Sequence, residues 1–117
     1  MLVVDDDHET LEMLRNGLAQ FGATVITAAT VNEARTLVVA ETPDVIVLDL
    51  AMPEEDGFSF ISDLRSRRID IPAIALTAHV RTEDRARVMA VGFQQYVSKP
   101  TTPLEIARAV GALRNQA

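Results

Sequence analysis

Five short apolar runs alternate along this chain with five stretches whose apolar residues recur at helical spacing, and no other feature limits the possible folds as sharply. Leu2-Val3-Val4 and Val45-Ile46-Val47-Leu48 are short and rich in β-branched residues, as strands buried on both faces of a parallel sheet are. Ala73 to Leu76 and Phe93 to Ser98 read as further strands, and Ala23 to Ala28 as a more polar one suited to a sheet edge. Strands that alternate with helices form βα units, whose crossovers place helices on both faces of a parallel sheet. The expected fold class is therefore α/β, a (βα)5 three-layer sandwich spanning residues 1–117 as one domain.

The helices carry their own start and stop signals. Asp7 can cap a helix with Leu11, Leu14, Leu18 and Phe21 on one face and Gly22 as its stop. Thr30-Val31-Asn32-Glu33 is a capping box before Ala34, Leu37 and Val38, and Pro43 closes that region. Pro53 and Gly57 punctuate a loop before Phe58, Ile61 and Leu64, and Pro72 introduces the fourth strand. Thr82 can cap a fourth helix, with Glu83 and Asp84 in its first turn suiting the helix dipole and Gly92 beyond it. Thr102-Pro103-Leu104-Glu105 is a second capping box, with Pro at the first helical position and Leu104, Ala107, Val110 and Leu113 following.

Composition excludes several function classes. Without Cys there is neither a disulfide framework nor a thiolate metal site. A net charge of −6 disfavours direct nucleic-acid binding and attraction to anionic lipid. No apolar run approaches the ~20 residues of a membrane span, and the amino terminus lacks the pattern of a signal peptide. A cytoplasmic location is expected, without membrane insertion.

The carboxyl ends of the strands gather the chemistry. Asp5 and Asp6 follow the first strand, Asp49 the third, Thr77 the fourth and Lys99 the fifth. Ligands of open α/β sheets bind along that rim. Carboxylates crowded there raise one another's pKa unless a cation or a chemical task holds them together. Taken singly, an Asp after a strand is commonly a helix cap and a Thr commonly a turn residue. Lys99 is the only Lys among eleven basic residues, however, and a compact ammonium does what the planar fork of Arg does poorly. All five on one rim point to a site. His8 and His79 lie near it, but two His without Cys or close spacing do not make a zinc site. Glu54-Glu55-Asp56 reads as a solvated loop bordering the site, and Arg81, Arg85 and Arg87 as an exposed helix face.

The acidic cluster after Leu2-Val3-Val4, the stretch Asp49-Leu50-Ala51-Met52-Pro53 with Gly57 beyond it, Thr77-Ala78 and Lys99-Pro100 together resemble the receiver domain of two-component response regulators. The resemblance covers essentially the whole chain. It implies the flavodoxin-like strand order 2-1-3-4-5, which periodicity alone does not choose. It also implies that Asp49 accepts a phosphoryl group from a phosphohistidine on a histidine kinase or a histidine phosphotransfer domain. Mg²⁺, or Mn²⁺ in its place, would be ligated directly by Asp6 and Asp49, through water by Asp5, and by the Ala51 carbonyl. Lys99 would pair with one phosphoryl oxygen and the Thr77 hydroxyl would bond another.

By the same resemblance Tyr96 is a switch aromatic acting with Thr77, and the Lys99–Pro100 peptide is cis. Ala51 and His79 would tune how fast the phosphoryl group is lost to water, with Ala51 and Ala78 leaving access open. The fourth helix, fifth strand and fifth helix would carry the output. The Ala-Leu-Thr-Ala-His run and the Arg-rich helix after it resemble receivers of hybrid histidine kinases, which would make this the cytoplasmic part of a membrane-bound kinase. Two other classes compete: a hydrolase working through an aspartyl phosphate, and a pseudo-receiver that only mediates contacts. The first needs a second carboxylate where Ala51 stands, and the second should have lost one of the site residues.

Overall fold

The computed structural model describes residues 1–52, 57–78 and 82–114. Its elements run in the order β1 (Leu2–Val4), α1 (His8–Ala19), β2 (Ile26–Ala28), α2 (Val31–Glu41), β3 (Ile46–Asp49), α3 (Gly57–Ser66), β4 (Ala73–Thr77), α4 (Thr82–Val91), β5 (Gln95–Ser98) and α5 (Pro103–Arg114). The strands form one parallel sheet in the order β2-β1-β3-β4-β5. This is the flavodoxin-like order expected from the resemblance.

Alternation along each strand divides the core in two. Leu2, Val4, Ile46, Leu48, Ala73 and Ala75 face α2, α3 and α4, burying Val38, Phe60, Ile61, Leu64 and Val88. Val3, Val47, Ile74 and Leu76 face α1 and α5, against Leu11, Leu14, Leu18, Ile106, Ala109 and Val110. Because both faces are covered, every residue of β1, β3 and β4 is buried, which is why these strands read as unbroken apolar runs. Each fully buried Leu or Ile contributes about 1.5–3 kcal/mol relative to exposure.

The caps form as their residue types demand. Asp7 Oδ1 accepts from the Glu9 amide at 3.2 Å, and Asp7 Oδ2 from the Thr10 hydroxyl at 2.7 Å. Those bonds hold its carboxyl below the usual range. The Thr30 and Thr102 hydroxyls accept from the Glu33 and Glu105 amides at 3.1 and 3.2 Å. Gly22, at φ +86°, takes the left-handed conformation that ends the turn after α1.

Four local expectations are corrected. The first helix ends at Ala19, so Phe21 sits in the following turn and is 55% exposed, outside the core. Leu104 is 42% exposed, because the sheet-facing residues of α5 are Ile106, Ala109 and Val110. A position two residues earlier points about 200° away around the helix. The second strand pairs only over Ile26–Ala28, since the Ala23 amide turns back to the Leu18 carbonyl. The fifth begins at Gln95, because the Gly92 and Phe93 amides close the end of α4 on Met89 and Val88. Pro53, the Glu54-Glu55-Asp56 run, His79 and Arg81 lie outside the described residues, as do the side chains of Thr82, Glu83 and Asp84. Among the described residues no helix is long and apolar enough to cross a membrane.

Candidate functional site

Parallel strands end on one side of the sheet, so the residue leaving each strand reaches a common rim. Register sets which ones meet: Val4 lies beside Leu48, Asp49 beside Leu76, and Thr77 beside Ser98. Asp5 therefore leaves β1 next to the end of β3, and Lys99 leaves β5 next to the end of β4.

Asp49 closes β3 and is 3% exposed. Its Oδ1 accepts from the Ala51 amide at 2.9 Å and its Oδ2 from Lys99 Nζ at 2.8 Å. Asp5 is 1% exposed, and its Oδ1 accepts from the Asp7 amide at 2.9 Å. Asp5 Oδ2 is buried without a hydrogen bond, 3.7 Å from Lys99 Nζ. Asp6 stands at the exposed lip, and one carboxylate oxygen from each of Asp5, Asp6 and Asp49 falls within 4.8 Å of the others.

The electrostatics follow from the crowding. Burial pushes the Asp5 carboxyl up to about 6, and the charges of Asp49 and Asp6 add to that; the Asp7 amide and Lys99 oppose it. Burial also works against the Lys99 ammonium, but the hydrogen bond and charge of Asp49, with the charge of Asp5, outweigh it and raise its pKa. A buried orphan oxygen beside two further hard oxygen donors suits a small divalent cation such as Mg²⁺, so the residues present fit such an ion.

Thr77, buried at the end of β4, accepts the Lys99 amide on its backbone carbonyl at 2.9 Å. Ala51 and Ala78 are exposed at the rim. The Lys99–Pro100 peptide is cis. Tyr96 lies on β5 beside Ala75, half-buried, with the Arg85 guanidinium 5.2 Å from its ring centroid. His8 opens α1 and lines a separate cleft with Glu12, Arg15 and Thr27.

Two kinds of arginine contact escape the sequence reading. Arg85 and Arg87 are exposed as expected, yet each lies over an aromatic ring, Arg87 at 4.0 Å from the Phe58 centroid. Arg65 donates to the carbonyls of Gly92 and Ile69 and to Gln94 Oε1. Neither has a local signal: Arg87 and Phe58, and Arg65 and Gly92, are brought together only by the fold.

Comparison with known proteins gives the arrangement its relatives. Over 112 residues the chain is 46% identical to an uncharacterized 14.6 kDa protein of Leptolyngbya boryana, covering 94% of this chain and 86% of that one. It is 38% identical over 113 residues to the transcriptional regulatory protein PrrA of Mycobacterium tuberculosis, covering 97% of this chain and 48% of the regulator. The chain thus spans about half the length of the curated transcriptional regulators it matches. The receiver domain of the Francisella response regulator 1452 superposes with a TM-score of 0.91 at 31% identity, covering 98% of this chain and 95% of that one. Residues 1–111 match the family model of the response regulator receiver domain, and the chain belongs to that family.

Proposed function

We propose that residues 1–117 act as one receiver unit in which Asp49 takes a phosphoryl group from a phosphohistidine. The observation that carries this reading is the chain's only Lys, donating from Nζ to a buried Asp49 Oδ2 at a rim that also holds Asp5 and Asp6. Phosphoryl transfer asks little covalent chemistry of a protein; it needs an in-line nucleophile and countercharge for the equatorial oxygens. An Asp49 oxygen forms the new O–P bond as the P–N bond of the donor breaks, and the imidazole leaves with the bonding pair. Lys99 donates to the acceptor carboxylate beforehand and then pairs with a phosphoryl oxygen. The Thr77 hydroxyl donates to a second one. Asp5, Asp6, Asp49 and the Ala51 carbonyl are the groups that would hold Mg²⁺ or Mn²⁺. When bound, the ion supplies further countercharge.

The new dianion draws Thr77 and Lys99 inward and pulls on the segments after β4 and β5, with Tyr96 acting as the switch aromatic. Output then passes through the face of α4, β5 and α5. The small Ala51 side chain leaves water a path to the phosphoryl group, and with His79 it sets the lifetime of the modification. The donor is a histidine kinase or a histidine phosphotransfer domain, in the cytoplasm. A hydrolase is disfavoured because Ala51 offers no carboxylate to activate water.

With Mg²⁺ and a small-molecule phosphodonor such as acetyl phosphate, the protein should gain one phosphoryl group by intact mass, and Asp49→Asn should gain none. An unchanged gain in the variant, or no gain in the parent, rejects the assignment.

A further inference from the structure

The segment from Lys99 to Pro103 carries the site's only ammonium, and it is held at both ends. At the site end the Lys99 amide donates to the Thr77 carbonyl at 2.9 Å. At the far end Thr102 caps α5, Thr101 Oγ1 donates to Glu105 Oε2 at 3.0 Å, and Pro103 is the first helical residue. Between these anchors the strap shares a cleft with one face of α1: Thr10, Met13 and Leu14 line a space of about 540 Å³ together with Lys99, Pro100 and Thr101.

One turn beyond Met13 and Leu14 on that face stands Gly17, in the last turn of α1. A Cβ built there would lie 2.3 Å from Pro103 Cγ and 2.7 Å from Pro103 Cβ. Glycine is a poor residue for a helix interior, and nothing in the backbone of α1 requires it. Its use at Gly17 is to let the Pro103 ring seat directly against the helix. The pyrrolidine ring is stiff and the helix backbone unyielding, so an added methyl group is relieved mainly by moving α5 and the strap joined to it.

We propose that Gly17 is a positioning residue for phosphoryl transfer: the seat of Pro103 on Gly17 sets how far Lys99 reaches toward Asp49. The inference rests on the reading of Asp49 and Lys99 as the transfer site. The contact between them is short and directional, and misplacement by about 1 Å can cost up to about a hundredfold in rate.

The single Lys makes the test specific, because protein labelled with ¹³C at lysine Cε gives one side-chain signal. Asp49→Asn first defines where that signal moves when its partner carboxylate is lost. Gly17→Ala should shift the Lys99 signal toward that position and slow phosphoryl uptake from acetyl phosphate by about tenfold or more. Adding Pro103→Gly to Gly17→Ala restores the room and should return both readouts toward the parent. Ile106→Val, a buried change in the same helix, should lower stability without moving the signal. A folded Gly17→Ala protein with an unmoved Lys99 signal and unchanged uptake overturns the proposal. Should Gly17→Ala not fold, Pro103→Gly alone removes the seat from the other side, and an unmoved signal there overturns it equally. Failure of the parent to take up phosphoryl at all would instead count against the transfer site, since the lysine signal is read without phosphorylation.

Discussion

Asp5 holds one oxygen buried and without a hydrogen bond, in a place where two more carboxylates come within 4.8 Å. Its folded pKa of about 6 stands above the ordinary 3.8, so between those values the folded protein binds more protons than the unfolded one. Stability of the metal-free protein should therefore fall as pH rises from about 4 through about 6, and stay lower above it. A divalent cation favours the ionised carboxylates, so Mg²⁺ should stabilise the protein more above pH 6 than below pH 4. Replacing Asp5 by Asn keeps an oxygen for the Asp7 amide and removes one charge. We expect Asp5→Asn to gain about 1 kcal/mol in EDTA, to flatten the acid part of the pH profile, and to lose most of the Mg²⁺ response. Thermal unfolding across pH, with and without Mg²⁺, measures all three. A variant less stable than the parent in EDTA would show that repulsion does not dominate at this residue.

At the level of elements, α4 is held largely from outside itself. Of its described side chains only Val88 is fully buried, and the helix is fastened to its neighbours by arginines. Arg65, on α3, donates twice to the Gly92 carbonyl at 2.9 and 3.1 Å, to the Ile69 carbonyl at 2.7 Å and to Gln94 Oε1 at 3.1 Å. Gln94 Oε1 also accepts the Ala73 amide at 2.8 Å, so one guanidinium joins the end of α4 to the edges of β4 and β5. The close fit explains Gly92, whose φ is +122° and where a Cβ would meet Arg65 Cγ at 2.8 Å. Removing the guanidinium leaves partly buried carbonyls without partners. Arg65→Ala should cost on the order of 2 kcal/mol by urea denaturation, with hydrogen exchange accelerated at residues 92–94. Arg65→Lys should recover only part, because a single ammonium cannot span the same acceptors.

Arg85 ties the same helix to β5 through the Tyr96 ring, a contact worth about 0.5–1 kcal/mol when exposed. The chain has one Tyr and no Trp, so its intrinsic fluorescence reports that ring. Arg85→Ala should alter the emission of the unphosphorylated protein, whereas Arg67→Ala, at a surface ion pair with Asp63, should not. Equal emission in the two variants would separate Arg85 from any hold on the Tyr96 ring.

Across the whole molecule, what could be read from sequence divides by the range of the interaction. The five strands, the helix caps at Asp7, Thr30 and Thr102, and the convergence of Asp5, Asp49, Thr77 and Lys99 on one rim all follow from short-range pattern plus the geometry of parallel sheets. Phe21 misleads because apolar spacing runs on past the end of α1, and Leu104 because it lies on the side of α5 turned away from Ile106, Ala109 and Val110. Phe60, fully buried, was passed over for Phe58 two residues earlier, which is only partly covered and meets Phe93 edge-on at 6.3 Å. The Arg65 clamp on Gly92, the Arg87–Phe58 stack and the Gly17–Pro103 seat join segments that no window along the chain contains. Strand order belongs to the same class: periodicity calls for a parallel sheet, and the family resemblance supplied the order 2-1-3-4-5 that the fold displays.

That order has a consequence for how the protein is made. The acidic residues come from β1 and β3, in the first half of the chain, while Lys99 follows the last strand, which pairs at the sheet edge with β4 alone. Domains emerge from synthesis amino terminus first. A nascent chain short of β5 holds its carboxylates without the ammonium that meets Asp49 in the finished fold. On the proposed reading of Asp49 and Lys99, competence to be phosphorylated arrives only with the β5–α5 unit, and the lysine marks a sheet completed before it can take up a phosphoryl group.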